Sequence, residues 1–203
     1  MLPMKDLIIL GIDIHGLEIA DIVNSIGEYR IIGFISGSDD FPSSHGGYPV
    51  LGNASALANF PHAMRVPMHT WKDTDTINWV NIIAPSAFIA STAKLGVGCV
   101  IYPNCFIGAK AKLGNGVFML SGSIVNHDNI IEDRVIITSG VSLAGSVTVK
   151  SGAYLGQACN VRQYLTIGQK STVGMGAVVT RDVPDNVTVI GCPAKPYERG
   201  QKQ

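Results

Sequence analysis

The sequence is poor in charge, and the charges it has cancel. Only 15% of its 203 residues are charged, and the formal net charge is zero. A nucleic-acid-binding protein needs a basic surface to neutralise phosphates, so this composition argues against that class. The chain also lacks an apolar run of about 18 residues, which a transmembrane helix would require. No basic segment precedes a long apolar stretch at the N-terminus, so we expect no signal peptide and a cytoplasmic location.

A bulky aliphatic residue, in contrast, stands at every sixth position from Ile83 to Val179. Sixteen of these seventeen positions hold Ile, Leu or Val, and the remaining one is Met119. No helix or ordinary strand has a period of six, whereas a triangular coil with one inward anchor on each side does. The repeat therefore predicts a parallel β-helix of a little over five coils.

The position three residues after each anchor predicts where the coil turns. It is rich in residues that tolerate positive φ, as each corner of a triangular coil requires. These are Gly98, Asn104, Gly116, Gly122, Asp128, Gly140, Gly152 and Gly176. The pattern is typical of a left-handed β-helix, which is an exception to the right-handed crossover rule.

Cysteine is scarce, and its placement favours a structural role. None of the four cysteines forms a CxxC pair, so a zinc knuckle is not expected. Three of them share the hexad position four after the anchor, which is mostly small elsewhere: Cys99, Cys105 and Cys159. We expect these three to be small interior residues in a reducing cytoplasm.

The N-terminal part reads as a β-α-β unit. Residues 7–10 and 31–35 are strand-like, and residues 15–26 have helical periodicity before a stop at Gly27. A ligand of such a unit would lie at the carboxyl end of the first strand. The turn Gly11–Gly16 is not GxGxxG, and Asp13 would repel a phosphate placed on it. A unit that merely supports the coil is the open alternative.

These patterns divide the chain into two domains. We expect a small Rossmann-like βαβ substrate-binding subdomain over residues 1–82 and a left-handed β-helix with a C-terminal tail over residues 83–203. Residues 46–52 look like a loop returning to a strand, and residues 61–82 look like a short connection. The outer faces of the coil carry apolar residues that we expect to be covered in a homotrimer. They are Phe106, Phe118, Ile130, Ile136 and Tyr154.

His127 is the only histidine of the predicted coil and tail, and Asp128 follows it. Both lie at a corner, where side chains point outward. A carboxylate beside an imidazole increases its basicity and fixes its orientation, as a general base requires. A polar corner in solvent is the alternative. A zinc carbonic anhydrase on the same coil would need three histidine ligands, so we expect no metal site.

Several segments, in order along nearly the whole chain, resemble the bacterial hexapeptide-repeat sugar acetyltransferases of the sialic acid O-acetyltransferase type, which include nucleotide-aminosugar N-acetyltransferases. The most specific are Val125-Asn126-His127-Asp128 and Gly191-Cys192-Pro193-Ala194-Lys195 within the unbroken coil. The others are Gly11…His15-Gly16, Ile32-Gly33-Phe34, Pro49-Val50-Leu51-Gly52, Ala84-Pro85-Ser86-Ala87 and Leu143-Ala144-Gly145.

The resemblance implies acetyl-CoA as cosubstrate, a trimer with sites between neighbouring coils, and His127 with Asp128 as catalytic residues. It places the acetyl-CoA contacts at Ile136, Gly145, Gln157 and Met175. It places the nucleotide-sugar contacts at Ile12, Asp13, Ile14, Ser36 and Gly52. The activity it implies is acetyl transfer to an amine or hydroxyl of a sugar, foremost a nucleotide-linked 4-amino-sugar used in surface polysaccharide or glycan synthesis.

Two alternatives remain open at this stage. Asp13 and Ile14 replace residues of the family's glycine-rich turn, and Ile136 stands where a second histidine is common. These departures motivate a non-catalytic trimeric scaffold or binding protein. Asp13 at the helix N-terminus also motivates an O-acetyltransferase that acts on a non-nucleotide sugar or another small acceptor.

Overall fold

The computed structural model describes residues 4–69 and 78–197. The chain forms two compact units, Met1–Pro85 with Val97–Val100 and Ser86–Gly96 with Ile101–Gln203. The predicted class, an N-terminal α/β subdomain followed by a parallel β-helix, is confirmed. The predicted domain boundary after residue 82 stays a prediction.

The first unit is built on a five-stranded sheet of β1 (Lys5–Leu10), β2 (Tyr29–Ile35), β3 (Ser44–His45), β4 (Tyr48–Gly52) and β5 (Met64–Pro67), in the order β3-β4-β2-β1-β5. Strands β4, β2, β1 and β5 run parallel to one another, whereas β3 pairs with β4 in antiparallel fashion. Its other elements are α1 (Ile14–Ile26) between β1 and β2, a 3-10 helix (Ala54–Asn59) after β4, and β6 (Ile82–Ile83). The predicted β-α-β unit and the strand after the Gly46-Gly47 turn are present.

Helix α1 begins and ends where local chemistry requires. Asp13 caps its N-terminus, and Gly27 ends it in the left-handed conformation with φ 75°. The face between these caps buries Ile19, Ala20, Ile22 and Val23, which is the stripe expected from the 3.6-residue period. Among the described residues, no helix is long and apolar enough to cross a membrane.

The expectation that residues 61–82 form only a connection is wrong for β5. This strand pairs in parallel with β1, from Leu7 with Met64 to Leu10 with Pro67. It has four residues, and burial does not alternate along it, since Arg65, Val66 and Pro67 are all buried. A short strand buried on both faces has no period-two signature. Residues 70–77 of the predicted connection lie outside the described residues.

The second unit contains three parallel ladders of two-residue strands. Each strand pairs with the equivalent strand of the next coil, as Phe106 does with Ile124. The first ladder holds β7 (Phe88–Ile89), β10 (Phe106–Ile107), β13 (Ile124–Val125), β16 (Ser142–Leu143), β19 (Asn160–Val161) and β22 (Val178–Val179). The second holds β8 (Lys94–Leu95), β11 (Lys112–Leu113), β14 (Ile130–Ile131), β17 (Thr148–Val149) and β20 (Thr166–Ile167). The third includes β12 (Phe118–Met119), β15 (Ile136–Ile137), β18 (Tyr154–Leu155), β21 (Thr172–Val173), β23 (Thr188–Ile190) and β24 (Lys195–Pro196), while β9 spans Val100–Ile101.

The hexad register predicted from the sequence is the register of the coil. Every anchor from Ile101 to Val179 is buried, whereas Ile83, Ile89 and Leu95 are partly exposed. Every residue three after an anchor, from Asn104 to Gly176, has a positive φ. Several of these residues are not glycine or asparagine: Lys110, Asp128, Arg134, Ser146, Ala158, Tyr164 and Lys170. Ladder pairing on both sides of each corner therefore holds even residues for which this conformation is unfavourable.

Two expectations about the coil need correction. First, the coil continues beyond the last anchor of the repeat, because Thr188 pairs with Thr172 in parallel. This last coil is shorter than the coils before it, so the regular hexad pattern cannot reveal it. Second, Phe118 is buried and not exposed, since the ring of Tyr102 packs on it at 5.5 Å between centroids. Cys99, Cys105 and Cys159 are buried free thiols, as expected.

Candidate active site

His127 and Asp128 lie at the corner between β13 and β14. Asp128 takes the left-handed corner conformation with φ 57°, which is tolerated by Asp better than by most residues. Its Oδ2 lies 2.8 Å from His127 Nδ1, and both side chains are largely exposed. When Nδ1–H donates to Asp128, Nε2 carries the lone pair and faces no competing partner among the described residues. The pair therefore forms an oriented base that a substrate can reach.

Gly145 supports the His127 ring from the next coil, where it occupies the equivalent corner. A Cβ atom at this position would lie 2.5 Å from Cε1 and 2.7 Å from Nε2 of His127. Only glycine therefore leaves room for the imidazole. This supporting contact is a role that the sequence analysis missed; the predicted acetyl-CoA contact of Gly145 stays a prediction.

Asn129 fixes the backbone beneath this corner, a role that was not predicted from the sequence. Its side chain is fully buried. Its Nδ2 donates to the carbonyl of Asn126 at 2.9 Å and to that of Ala144 at 3.1 Å. Its Oδ1 accepts from the N–H of Val147 at 2.7 Å. One side chain thus ties the His127 corner to the Gly145 corner. The signal that could have revealed it is an amide side chain at a hexad position that elsewhere holds small or aliphatic residues.

Further hydrogen bonds hold the two corners in register. Asn126 Nδ2 donates to the carbonyl of Leu143 at 2.8 Å. The Ser146 N–H donates to the carbonyl of His127 at 3.0 Å, and the Asp128 N–H donates to that of Ala109 at 2.9 Å. The candidate base is therefore an exposed side chain on a rigid backbone, which is what positioning for catalysis requires.

The other predicted acetyl-CoA contacts lie elsewhere on the same unit. Gln157 and Met175 occupy one corner in successive coils, the corner before the first ladder, whereas His127 lies at the corner after it. Both side chains are exposed, and Met175 is 79% exposed. Ile136 begins β15 in the third ladder and is half-buried. A single chain therefore does not gather these three side chains around His127, and their roles stay predictions.

The five predicted nucleotide-sugar contacts lie at one edge of the first unit's sheet, where its parallel strands end. Ile12, Asp13 and Ile14 follow β1, Ser36 follows β2, and Gly52 ends β4. The Gly11 N–H donates to the carbonyl of Ile35, and the Ser36 N–H donates to that of Gly52, both at 2.8 Å. Ligands of open α/β sheets bind at this edge. The roles of these five residues stay predictions.

The start of α1 is already occupied by a carboxylate. Asp13 Oδ1 accepts from the N–H groups of His15 at 2.8 Å and Gly16 at 3.3 Å. These are the amides that a phosphate would use at a helix N-terminus. His45 Nε2 donates to the Asp13 carbonyl at 2.9 Å, which holds the turn in place. Ser36 is buried, and its hydroxyl accepts from the N–H of Ser38.

Three ionisable side chains meet beside this turn. The rings of His15 and His69 lie edge to face at 5.2 Å, and His15 Nδ1 lies 2.9 Å from Glu18 Oε2. Burial lowers the pKa of His69 below its usual value, and the neighbouring His15 lowers this pKa further, while Asp13 acts in the opposite direction. His69 is thus held towards its neutral form. In residues 4–69 and 78–197, no group of three or more His, Cys, Asp or Glu is arranged to hold a metal ion.

Known proteins match both units. Residues 6–66 match the PglD N-terminal domain family. The acetyltransferase domain of PglB from Neisseria gonorrhoeae is 27% identical and superposes with a TM-score of 0.85 over 95% of this chain and 100% of that one. It is also known in complex with acetyl coenzyme A. A histidine variant of GDP-perosamine N-acetyl transferase from Caulobacter crescentus, in complex with CoA and GDP-perosamine, is 26% identical with a TM-score of 0.87, over 98% of this chain and 99% of that one.

The predicted resemblance to the hexapeptide-repeat sugar acetyltransferases is confirmed. A curated relative is the acyl-(acyl-carrier-protein)–UDP-N-acetylglucosamine O-acyltransferase of Pseudomonas paraeruginosa, which is 41% identical over 71 residues. That match covers 35% of this chain and only 28% of the relative. The structural neighbours are acetyltransferases, and these relatives are named acyltransferases.

Proposed function

We propose that this protein is an acetyl-CoA-dependent acetyltransferase whose acceptor is an amine of a nucleotide-linked aminosugar. The single observation that carries the proposal is the contact of 2.8 Å between His127 Nδ1 and Asp128 Oδ2 on an exposed, rigid corner. This arrangement is an oriented general base, and the described residues hold no group of three or more His, Cys, Asp or Glu arranged to bind a metal ion. The complexes of the structural neighbours with acetyl-CoA, CoA and GDP-perosamine support the substrate classes.

The reaction proceeds by direct transfer. The neutral amine of the acceptor attacks the thioester carbon while His127 Nε2 takes a proton from that amine. The tetrahedral intermediate then collapses, the carbon–sulfur bond breaks, and the CoA thiolate leaves and takes the proton from the imidazolium. Asp128 stabilises the imidazolium between the two steps. The N–H of Gly145 donates to no acceptor in the part of the chain that the structure describes, so it is the candidate donor to the oxyanion.

Oligomeric state and biological setting belong to the same proposal. Exposed apolar side chains on the outer faces of the coil, among them Phe88, Phe106, Ile124 and Tyr154, favour assembly into a homotrimer. Buried free thiols fit a reducing cytoplasm, where acetyl-CoA is available. Surface polysaccharide or glycan synthesis is the process that consumes such an acetylated sugar nucleotide. Sedimentation equilibrium tests the trimer directly, because a monomer would contradict it.

The activity is tested by release of the CoA thiol in the presence of UDP-, GDP- and dTDP-linked aminosugars. The matching sugar nucleotides with a hydroxyl in place of the amine separate N- from O-acetylation. His127→Ala should lose turnover by about 10²–10⁴-fold while acetyl-CoA still binds. Asp128→Asn keeps an acceptor oxygen at the same corner and a residue that tolerates positive φ, so it should fold normally and lose turnover by about ten-fold. Wild-type turnover in His127→Ala would exclude the proposed base.

A further inference from the structure

Three lysines crowd one outer face of the coil beside the candidate base. Lys94 and Lys112 face each other in register on β8 and β11. Lys110 lies at the corner directly before Lys112, where its N–H donates to Thr92 Oγ1 at 3.1 Å. The three side chains line an open pocket of about 410 Å³, and the other residues that line it are Thr92, Asp128 and Ile130. Asp128, whose carboxylate orients His127, thus forms part of the wall of a pocket lined by three lysines.

These lysines lack counter-ions in the described part of the coil. The ion pairs there are His127–Asp128 and Lys150–Asp185, so no described carboxylate lies within 4.0 Å of the three ammonium groups. Neighbouring rungs of a ladder are about 4.8 Å apart, and like charges that face each other across them repel. A bound anion would remove this repulsion.

Asp128, which lines the pocket, pairs with His127, and the next acidic residues along the chain are engaged with backbone groups. Glu132 Oε2 accepts from both the N–H and the hydroxyl of Ser151 at 2.9 Å. Asp133 Oδ1 accepts from the N–H of Asn115 at 2.8 Å. They therefore fix coil corners and leave the charge of the lysines uncompensated.

We propose that Lys94, Lys110 and Lys112 bind the diphosphate of the acceptor, so that the coil itself holds the glycosyl diphosphate next to His127. This inference rests on the proposed function and adds the residues that recognise the anion. Lysine binds phosphate as a mobile point charge and needs no planar geometry. The start of α1, the usual phosphate position of an α/β unit, is filled by the Asp13 carboxylate.

CoA contains a diphosphate as well, so the lysines could bind either cosubstrate. The distance from each diphosphate to its reacting group decides which of the two fits. In CoA the pantetheine arm separates the diphosphate from the reacting thioester. In a nucleotide-linked 4-amino-sugar only one sugar ring separates the diphosphate from the reacting amine. The lysines lie on the two rungs that precede the rung of Asp128, which is within roughly 10 Å along the coil. This short distance matches the acceptor.

The test is calorimetry on the full chain with UDP, GDP, dTDP, CoA and inorganic pyrophosphate as separate probes. Lys112→Gln should lower the affinity for the best-bound nucleoside diphosphate by about ten-fold, and the triple Lys94→Gln, Lys110→Gln, Lys112→Gln variant should lower it further. Pyrophosphate affinity should fall in parallel, while CoA affinity stays within two-fold (about 0.4 kcal/mol). Lys170→Gln is the matched control, because Lys170 also has a left-handed φ (52°, against 61° for Lys110) and lies at a different corner.

Three results would contradict the inference. Unchanged nucleotide and pyrophosphate affinity in the triple variant, with unaltered thermal unfolding, excludes the lysines as the anion site. A loss confined to CoA assigns the pocket to the cosubstrate instead. Absence of both nucleotide and pyrophosphate binding in the wild type also overturns it. If no aminosugar is acetylated but pyrophosphate binding still requires the lysines, the proposed function fails while the diphosphate site stands.

Discussion

The imidazole of His127 rests on the Cα of Gly145, since a Cβ atom on Gly145 would lie 2.7 Å from Nε2. Side chain and glycine are separated by one full coil, so the contact exists only because successive coils place equivalent corners on top of each other. The ring is thereby held between Gly145 and the carboxylate of Asp128. Gly145 is a positioning residue in addition to its predicted contact with acetyl-CoA.

Gly145→Ala should therefore reduce turnover more than stability. The added methyl group meets an exposed ring that can rotate away, so the fold survives while Nε2 leaves its position. A displacement of about 1 Å can cost roughly 10²-fold in rate. Thiol-release kinetics should show a fall in kcat larger than any rise in the KM for the acceptor. Gly152→Ala is the control for a strained methyl group at a coil corner, because its φ of 68° disfavours alanine while its Cβ would meet only Lys170 at 3.5 Å, so it should lower stability and leave kcat unchanged. Equal kcat values for Gly145→Ala and wild type would refute the positioning role.

Asn129 should be one of the most sensitive polar residues of the coil. Asn129→Ala leaves the Asn126 and Ala144 carbonyls and the Val147 N–H without this partner, in a position with no exposed surface. Unsatisfied buried groups cost about 1–3 kcal/mol each, so we expect a loss of about 3 kcal/mol in unfolding free energy. Urea unfolding measures it. Asn160→Ala is the matched control, because Asn160 is exposed and makes a single bond to the Ala158 carbonyl; similar losses in both variants would contradict the prediction.

The coil could be predicted from the sequence alone because a single six-residue period determines it. The hexad repeat predicted which side chains face inward, and the residues three after the anchors predicted the corners, including that of Asp128. The same period explains what was missed. The last coil, from Thr172 to Thr188, is shorter than the coils before it. The regular hexad repeat therefore ends in the sequence before the coil ends in the structure. Strand β5 carries no period at all, because both of its faces are buried.

The candidate site was predictable where its residues are adjacent in sequence and not where they meet across coils. His127 and Asp128 are neighbours, so their pairing could be inferred. Gly145 supports the ring from the next coil, and Lys94 joins Lys112 across the same separation. Such contacts can be predicted only if every residue is compared with the residue one full coil later in the sequence. The burial of Phe118 depends on the ring of Tyr102, which no repeat rule specifies.

The stability of the first unit should depend on pH through His69. Its pKa in the folded state is lowered from the ordinary value of 6.5 by burial first and by His15 second. The unfolded chain therefore binds more protons between the two pKa values, and the unfolding free energy falls as the pH drops below about 6.5. His69→Gln removes this contribution and should flatten the loss between about pH 7.5 and 5.5.

Denaturant titrations at several pH values measure this effect. His62→Gln, which alters an exposed histidine, corrects for the loss of a histidine as such. If the unfolding free energy of His69→Gln falls as steeply on acidification as that of the wild type, His69 does not cause the loss.

Thiol reactivity should report the interior of the coil. Burial raises the pKa of Cys159 to about 12 and also raises that of Cys105. The thiolate is the reactive species, so only about one in ten thousand Cys159 thiols is reactive at about pH 8. Cys99 is buried as well, whereas Cys192 is exposed. An aromatic disulfide reagent should modify one thiol per folded chain and four after unfolding in urea. Cys192→Ser should abolish the fast phase of modification. Fast modification of more than one thiol in the folded wild type would show that the buried anchors do not exclude the reagent from the interior of the coil.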